Sequence, residues 1–222
     1  MKPTPLSIAA VFAVVITYIR AIFFTPLEAL QGPAQKILYV HAPAAWVAFM
    51  AFGLVALVSI LYLWLREDRL DRIAEASAEV GVVFTTVVLT TGPLWGRPIW
   101  GAYWTWDARL TLTLFLWFIY VAYLVLRGAI EDKDMRARYS AVLGILGALL
   151  IPFIHLSVYL FRTLHPRPIL MKPSAPSLPG EMLTTLLLAF AAFTLLYVAL
   201  LRARYRYAVE RDNAHPPETY VA

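Results

Sequence analysis

The run Ala42-Pro-Ala-Ala-Trp-Val-Ala-Phe-Met-Ala-Phe-Gly-Leu-Val-Ala-Leu-Val-Ser-Ile-Leu-Tyr-Leu-Trp-Leu65 decides the class of fold. It carries no charge over 24 residues, and a helix of about 20 residues already crosses a hydrocarbon core of about 30 Å. Outward from it lie five more apolar runs, at about 6–24, 73–94, 108–126, 139–161 and 181–201. Hydrophobic residues make up 61% of the 222 and charged residues 15%, against about 45–50% and 25% in soluble domains. That balance excludes a soluble globule and a disordered chain. The expected fold is an all-α integral membrane protein, a six-transmembrane-helix bundle. It forms a single membrane domain over 1–222, with a polar, mobile tail from 202 to 222 holding His215 and Pro216-Pro217. Met1-Lys2 followed by an apolar run could pass for a signal peptide. The run extends to Phe24 without a clean small-x-small cleavage site, so a retained first span is expected.

The formal charge of +5 could suggest nucleic acid, but the basic residues fall in short runs between apolar segments, which suits membrane topology. No nucleic-acid partner is expected; the lipid bilayer is. With the N-terminus inside, twelve basic residues fall in the inner segments and five in the outer loops. The positive-inside rule then places both termini in the cytoplasm. By parity, the loops Pro26 to His41, Pro93 to Asp107 and Arg162 to Gly180 share the outer face. The inner connections, Arg66–Arg72 and Arg127–Arg138, read as solvated connectors of mixed charge. Cysteine is absent, which excludes disulfides, thiolate clusters and Cys-anchored haem.

The outer loops hold the chemistry. Trp95-Gly-Arg-Pro-Ile-Trp-Gly-Ala-Tyr-Trp-Thr-Trp-Asp107 packs four of the seven tryptophans, with Tyr103, into twelve residues. Trp95, Trp100, Trp104 and Trp106 could form an interfacial aromatic belt. Equally, with Gly96 and Gly101 allowing close approach and Pro98 stiffening the turn, they could form a platform for a large flat apolar ligand. His41 opens span two and His165 follows span five, both on the platform's face. A lone histidine there is ordinarily a polar interface residue. Two facing one platform point to opposite axial ligands of a haem iron, whereas zinc would need further ligands nearby.

Other residues keep two readings. His155 lies inside span five, where an ionisable group is a functional candidate, although a hydrogen bond between helices would also account for it. Ser157 could bond backbone within its helix or line a site. Asp107 suits an N-cap or a direct contact. Arg109 could pair with Asp107 or bind a ligand carboxylate. Lys36 and Arg97 are surface charges or contacts. Glu75 and Glu79 share one helix face without paired-carboxylate chemistry. No P-loop, Gly-x-Ser-x-Gly elbow, His-Glu-x-x-His or dinucleotide fingerprint occurs.

Three pieces resemble the haem-handling protein family of cytochrome c biogenesis, and by six-span size its CcmC branch. They are Lys36-Ile-Leu-Tyr-Val-His-Ala-Pro-Ala-Ala45, the run from Trp95 through Asp107-Ala-Arg-Leu-Thr111, and Pro152-Phe-Ile-His-Leu-Ser-Val158 followed by Thr163-Leu-His165. The resemblance implies an outer-face site for haem b, held non-covalently as transported cargo. Trp95, Gly96, Trp100, Gly101, Tyr103, Trp104 and Trp106 would lie against the porphyrin, and His41 and His165 would be the axial ligands. Asp107, Arg109, Ser157 and Lys36 match positions associated with haem or chaperone contact. It further implies delivery to the periplasmic chaperone CcmE, an ABC pair CcmA/CcmB, the small CcmD, and a bacterial inner-membrane location. The protein would then be a delivery component rather than an enzyme, the acceptor supplying the bond-forming histidine. Lys36 stands where arginine is familiar, and Tyr103 where tryptophan is common. The rival readings are a bis-histidine haem redox protein passing electrons to quinone and a cofactor-free small-molecule permease. The first calls for more intramembrane histidines than His155.

Overall fold

A computed structural model describes residues 3–170, 172 and 174–214; His215 and Pro216-Pro217 lie outside the described residues. Helix α1 is Pro5–Ile19, continued by a π-helical turn, Arg20–Phe24. A 3-10 turn, Pro33–Ile37, leads into α2, Leu38–Leu65. Then follow α3, Asp68–Trp100; α4, Ala108–Ala129; α5, Lys133–Ala148; α6, Leu150–Leu160; and α7, Gly180–Ala214. With α5 and α6 counted together, six helical segments are long and apolar enough to cross a membrane. No strand occurs among the described residues.

Local chemistry sets the boundaries. Pro5 sits in the first turn of α1, and Thr4 caps it by accepting from the Ser7 amide at 3.2 Å. Arg66, in the left-handed region at φ 58°, closes α2 and turns the chain into α3 within two residues. Span five breaks at Leu149 because Pro152 has no N–H to return to the Ala148 carbonyl.

The core runs along α2 and α3, where small residues let helices approach closely, as packing in a membrane requires. A Cβ on Gly81 would lie 2.4 Å from the Phe52 ring. That ring stacks on Tyr120 at 3.6 Å between centroids, and the Tyr120 hydroxyl donates to the Gly144 carbonyl at 2.8 Å. Ser77, fully buried, donates to the Ala51 carbonyl at 2.8 Å.

Three expectations change. The stretch from Pro93 was expected to be loop, yet α3 continues through Trp100 with Pro93 and Pro98 inside it. Proline is tolerated in spanning helices where side-chain hydroxyls and neighbouring helices satisfy the freed backbone groups. Only Gly101 to Asp107 is irregular. The segment after Arg202 was expected to be mobile, yet α7 is helical to Ala214. Arg211 donates to Glu75 at 2.6 and 3.0 Å, and Arg204 makes a two-point pair with Glu79. Arg127, expected in a solvated connector, is 6% exposed and binds Asp71 at 2.6 and 2.9 Å and Glu75 at 3.1 Å. Asp71 and Glu75, four residues apart on α3, gather arginines from α4 and α7, and these charge-assisted bonds offset much of the cost of burial.

Candidate functional site

At the opposite end of the bundle, the three segments expected to share one face do meet. A cavity of about 1150 Å³ including its open mouth lies there, walled by α2, α3, α4 and the segment after α6.

His41 stands on the first turns of α2, inside the helix rather than at its start, because the 3-10 turn brings helical structure in early. Its Nδ1 lies 3.0 Å from the Thr91 hydroxyl. That hydroxyl already gives its one proton to the Val87 carbonyl at 2.6 Å, so toward His41 it accepts. Nδ1 therefore carries the proton and Nε2 keeps its lone pair. His165 reaches the same state differently: Nδ1 lies 2.9 Å from the Pro166 carbonyl, which can only accept. Burial, then the positive charge of Arg109, lowers the His165 pKa to about 3, so the ring is neutral.

The two imidazole centroids are 6.5 Å apart and the rings inclined by 36°. Trans imidazoles on one metal, with bonds of about 2.0–2.1 Å, have centroids about 6–7 Å apart. Among the described residues no three of His, Asp and Glu gather as a metal site.

Asp107 organises one wall. One carboxylate oxygen accepts from the Leu110 amide at 3.0 Å, capping α4; the other accepts from the Thr163 hydroxyl at 2.8 Å. Thr163 in turn accepts from the His165 amide at 3.0 Å. Asp107 is thus an N-cap that also holds the His165 segment, and it forms no ion pair with Arg109 within 4 Å. Arg109 lines the cavity with Nη1 buried and without a hydrogen-bond partner among the described residues; Trp104 does the same with Nε1.

The aromatics divide. Trp95, Trp100 and Trp104 line the cavity. Trp95 meets His41 edge-on at 5.9 Å and donates to the Gln31 side chain at 3.0 Å, while Trp100 lies 6.5 Å from His165. Trp106 is 76% exposed, packing its edge on Trp104 at 5.6 Å, and Tyr103 lies under the Arg97 guanidinium, facing out. Gly96 is buried where a Cβ would lie 2.9 Å from the Trp100 ring; Gly101 at φ 77° ends α3 in the left-handed region.

Three other expected residues lie outside the lining. Lys36 donates to the carbonyls of Thr25 and Pro26, tying the first outer loop. Ser157, fully buried, donates to the Ile154 carbonyl at 2.7 Å. His155 is half-buried on α6 and does not line the cavity. Thr91, Gln31, Thr163 and Pro166, by contrast, orient the site without having been singled out in the sequence. Gly92 is a further case: a Cβ there would crowd the His41 ring at 3.3 Å.

Fold and cavity define a polytopic membrane protein with a tryptophan-walled, two-histidine pocket at one end. The sequence model described as "Heme exporter protein C", CcmC, matches residues 2–219, and the chain belongs to that family. It is 40% identical over 186 residues to a protein named heme exporter protein C from Bradyrhizobium diazoefficiens, covering 84% of this chain and 71% of that one. The namesake from Haemophilus influenzae is 36% identical over 194 residues, 87% of this chain and 79% of its own. That from Rhodobacter capsulatus is 35% identical over 185 residues, 83% and 76%.

Proposed function

We propose that the chain binds haem b non-covalently in this cavity, with His41 and His165 as axial ligands, and hands it on for c-type cytochrome biogenesis. The observation that carries the reading is the imidazole pair: 6.5 Å between centroids, each Nδ1 engaged as a donor, each Nε2 left with its lone pair. Trp95, Trp100 and Trp104 pack against the macrocycle, and Arg109 Nη1 and Trp104 Nε1 take a propionate carboxylate. Family membership supports haem as the cargo.

On this reading the protein is a delivery component of the bacterial inner membrane rather than an enzyme. It works with the chaperone CcmE as acceptor and with CcmA, CcmB and CcmD as companions. The excess of basic residues in the segments away from the cavity supports both termini in the cytoplasm and the cavity facing the periplasm.

Absorption spectra of the purified protein, oxidised and reduced, test the axial pair. His41→Gly or His165→Gly opens one axial position and changes the haem spectrum, and added imidazole restores the six-coordinate signal. His155→Gly leaves ligation intact. A six-coordinate bis-imidazole spectrum persisting in the His41→Gly, His165→Gly double variant, without imidazole and with the chaperone's own histidine removed, overturns the assignment.

A further inference from the structure

A second, smaller cavity opens on the segment between α6 and α7. It measures about 590 Å³ including its open mouth and is lined by Tyr159, Arg167, Pro168, Lys172, Ser174 and Ser177. The sequence makes this segment one-sided in charge. Arg162, Arg167 and Lys172 fall within eleven residues, and no acidic residue lies between Arg162 and Gly180. Neither Arg167 nor Lys172 forms an ion pair among the described residues, and the hydroxyls of Ser174 and Ser177 make no hydrogen bond there. Arg167 instead lies 5.4 Å from the centre of the Tyr159 ring, which holds the guanidinium over the last turn of α6. Two cations and two hydroxyl groups therefore share one opening with no carboxylate in its walls.

The depth of the opening points to what reaches it. Tyr159, Leu160 and Phe161 close α6 with 44%, 65% and 59% of their surfaces exposed. So exposed an apolar turn at the end of a spanning helix faces acyl chains, and a tyrosine there marks the headgroup level. Tyr159 belongs to both the turn and the cavity, so the cations stand where lipid phosphates lie. We propose that this cavity binds the phosphodiester of an anionic phospholipid in the leaflet at that end of the bundle. Arg167 and Lys172 take the phosphate oxygens, and Ser174 and Ser177 donate to those oxygens or to the headgroup. A zwitterionic lipid fits less well, because its ammonium would approach two cations with no carboxylate in the walls to receive it. A bound lipid ties down, from the bilayer side, the segment that carries His165, two residues before Arg167. The site stands independently of the haem reading of the larger cavity.

Native mass spectrometry tests the site on the full chain in detergent, offered equal amounts of phosphatidylglycerol and phosphatidylcholine with the same acyl chains. Phosphatidylglycerol should be retained on the order of 20-fold over phosphatidylcholine, about fivefold for each cation. Arg167→Gln combined with Lys172→Gln should reduce that preference to about twofold or less. Arg162→Gln removes a charge from the same segment but not from the cavity, and should leave the preference in place. An unchanged preference in the double variant overturns the site. So does a comparable loss in Arg162→Gln, which would show diffuse attraction to surface charge. A parallel arm adds inorganic phosphate and reads the thermal unfolding temperature. A rise that vanishes in the double variant, without any preference among lipids, assigns the cavity to a free anion and overturns the lipid. Neither a lipid preference nor a phosphate response in the wild type overturns the proposal outright, with no variant required to fold.

Discussion

The two ends of the bundle treat buried arginine in opposite ways. At the end holding Arg127, two carboxylates on α3 meet guanidinium groups from α4 and α7, so opposite charges gather within hydrogen-bond reach. At the cavity end, Arg109 lies beside an aspartate already committed to an amide and a threonine, and one of its nitrogens is left without an acceptor. A buried cation matched by the chain's own carboxylates holds helices together; one left with an open donor is prepared for an anion that arrives later.

The comparison breaks most sharply at Arg127. Arg127→Gln leaves Asp71 and Glu75 short of their central partner, at a cost of about 3–5 kcal/mol, read as a drop in thermal unfolding temperature in detergent. Arg109→Gln should leave that temperature nearly unchanged while weakening haem binding by about 10- to 100-fold, or roughly 1.4–2.7 kcal/mol. An equal loss of stability in both variants would erase the distinction between the ends.

Gly96→Ala places a methyl 2.9 Å from the Trp100 ring and forces that wall to move. About 1–3 kcal/mol of haem affinity should be lost, measured by titration, with the helices intact by circular dichroism. Acid acts on His165. Its folded pKa, about 3, lies below the unfolded value of about 6.5, so the unfolded chain binds the extra proton first. Its contribution to the haem-free protein is complete above pH 6.5 and falls as the pH drops toward 3, reaching a loss of up to about 2 kcal/mol by pH 5. The acid branch of the stability curve should flatten in His165→Gln. The smallest effect is expected at Trp106→Ala: with the ring mostly exposed, haem retention should change by less than about 0.5 kcal/mol.

Apolar run length made the six spans legible, because the bilayer imposes one length on every crossing. Helix ends were less so. Pro93 and Pro98 read as a turn by local chemistry, whereas within a bundle α3 carries them to Trp100. Residues 202–214 read as a polar tail because their partners, Glu75 and Glu79, lie more than a hundred positions away. The site divides in the same way. His41, His165, Trp95, Gly96, Trp100, Trp104 and Arg109 were legible as unusual residues in an outer segment, and the structure brings them together. Tyr103, Trp106 and Lys36 shared those segments but face elsewhere, and Ser157, inside span five, bonds within its own helix. Periodicity alone separates Trp100 from Trp106 only once the helix end between them is known. Thr91 and Gln31 were illegible, since each acts through one hydrogen bond to a residue 50 or 64 positions along the chain.

Asp107 ties two of these parts into one lever. One oxygen secures the first turn of α4, which carries Arg109; the other, through Thr163, secures the strap that carries His165. A pull on the strap is therefore felt at Arg109, and a shift of Arg109 at His165. The two side chains then share one fastening rather than two independent anchors. Loosening the 2.8 Å bond between Thr163 and Asp107 would free the strap while the cap on α4 stays in place.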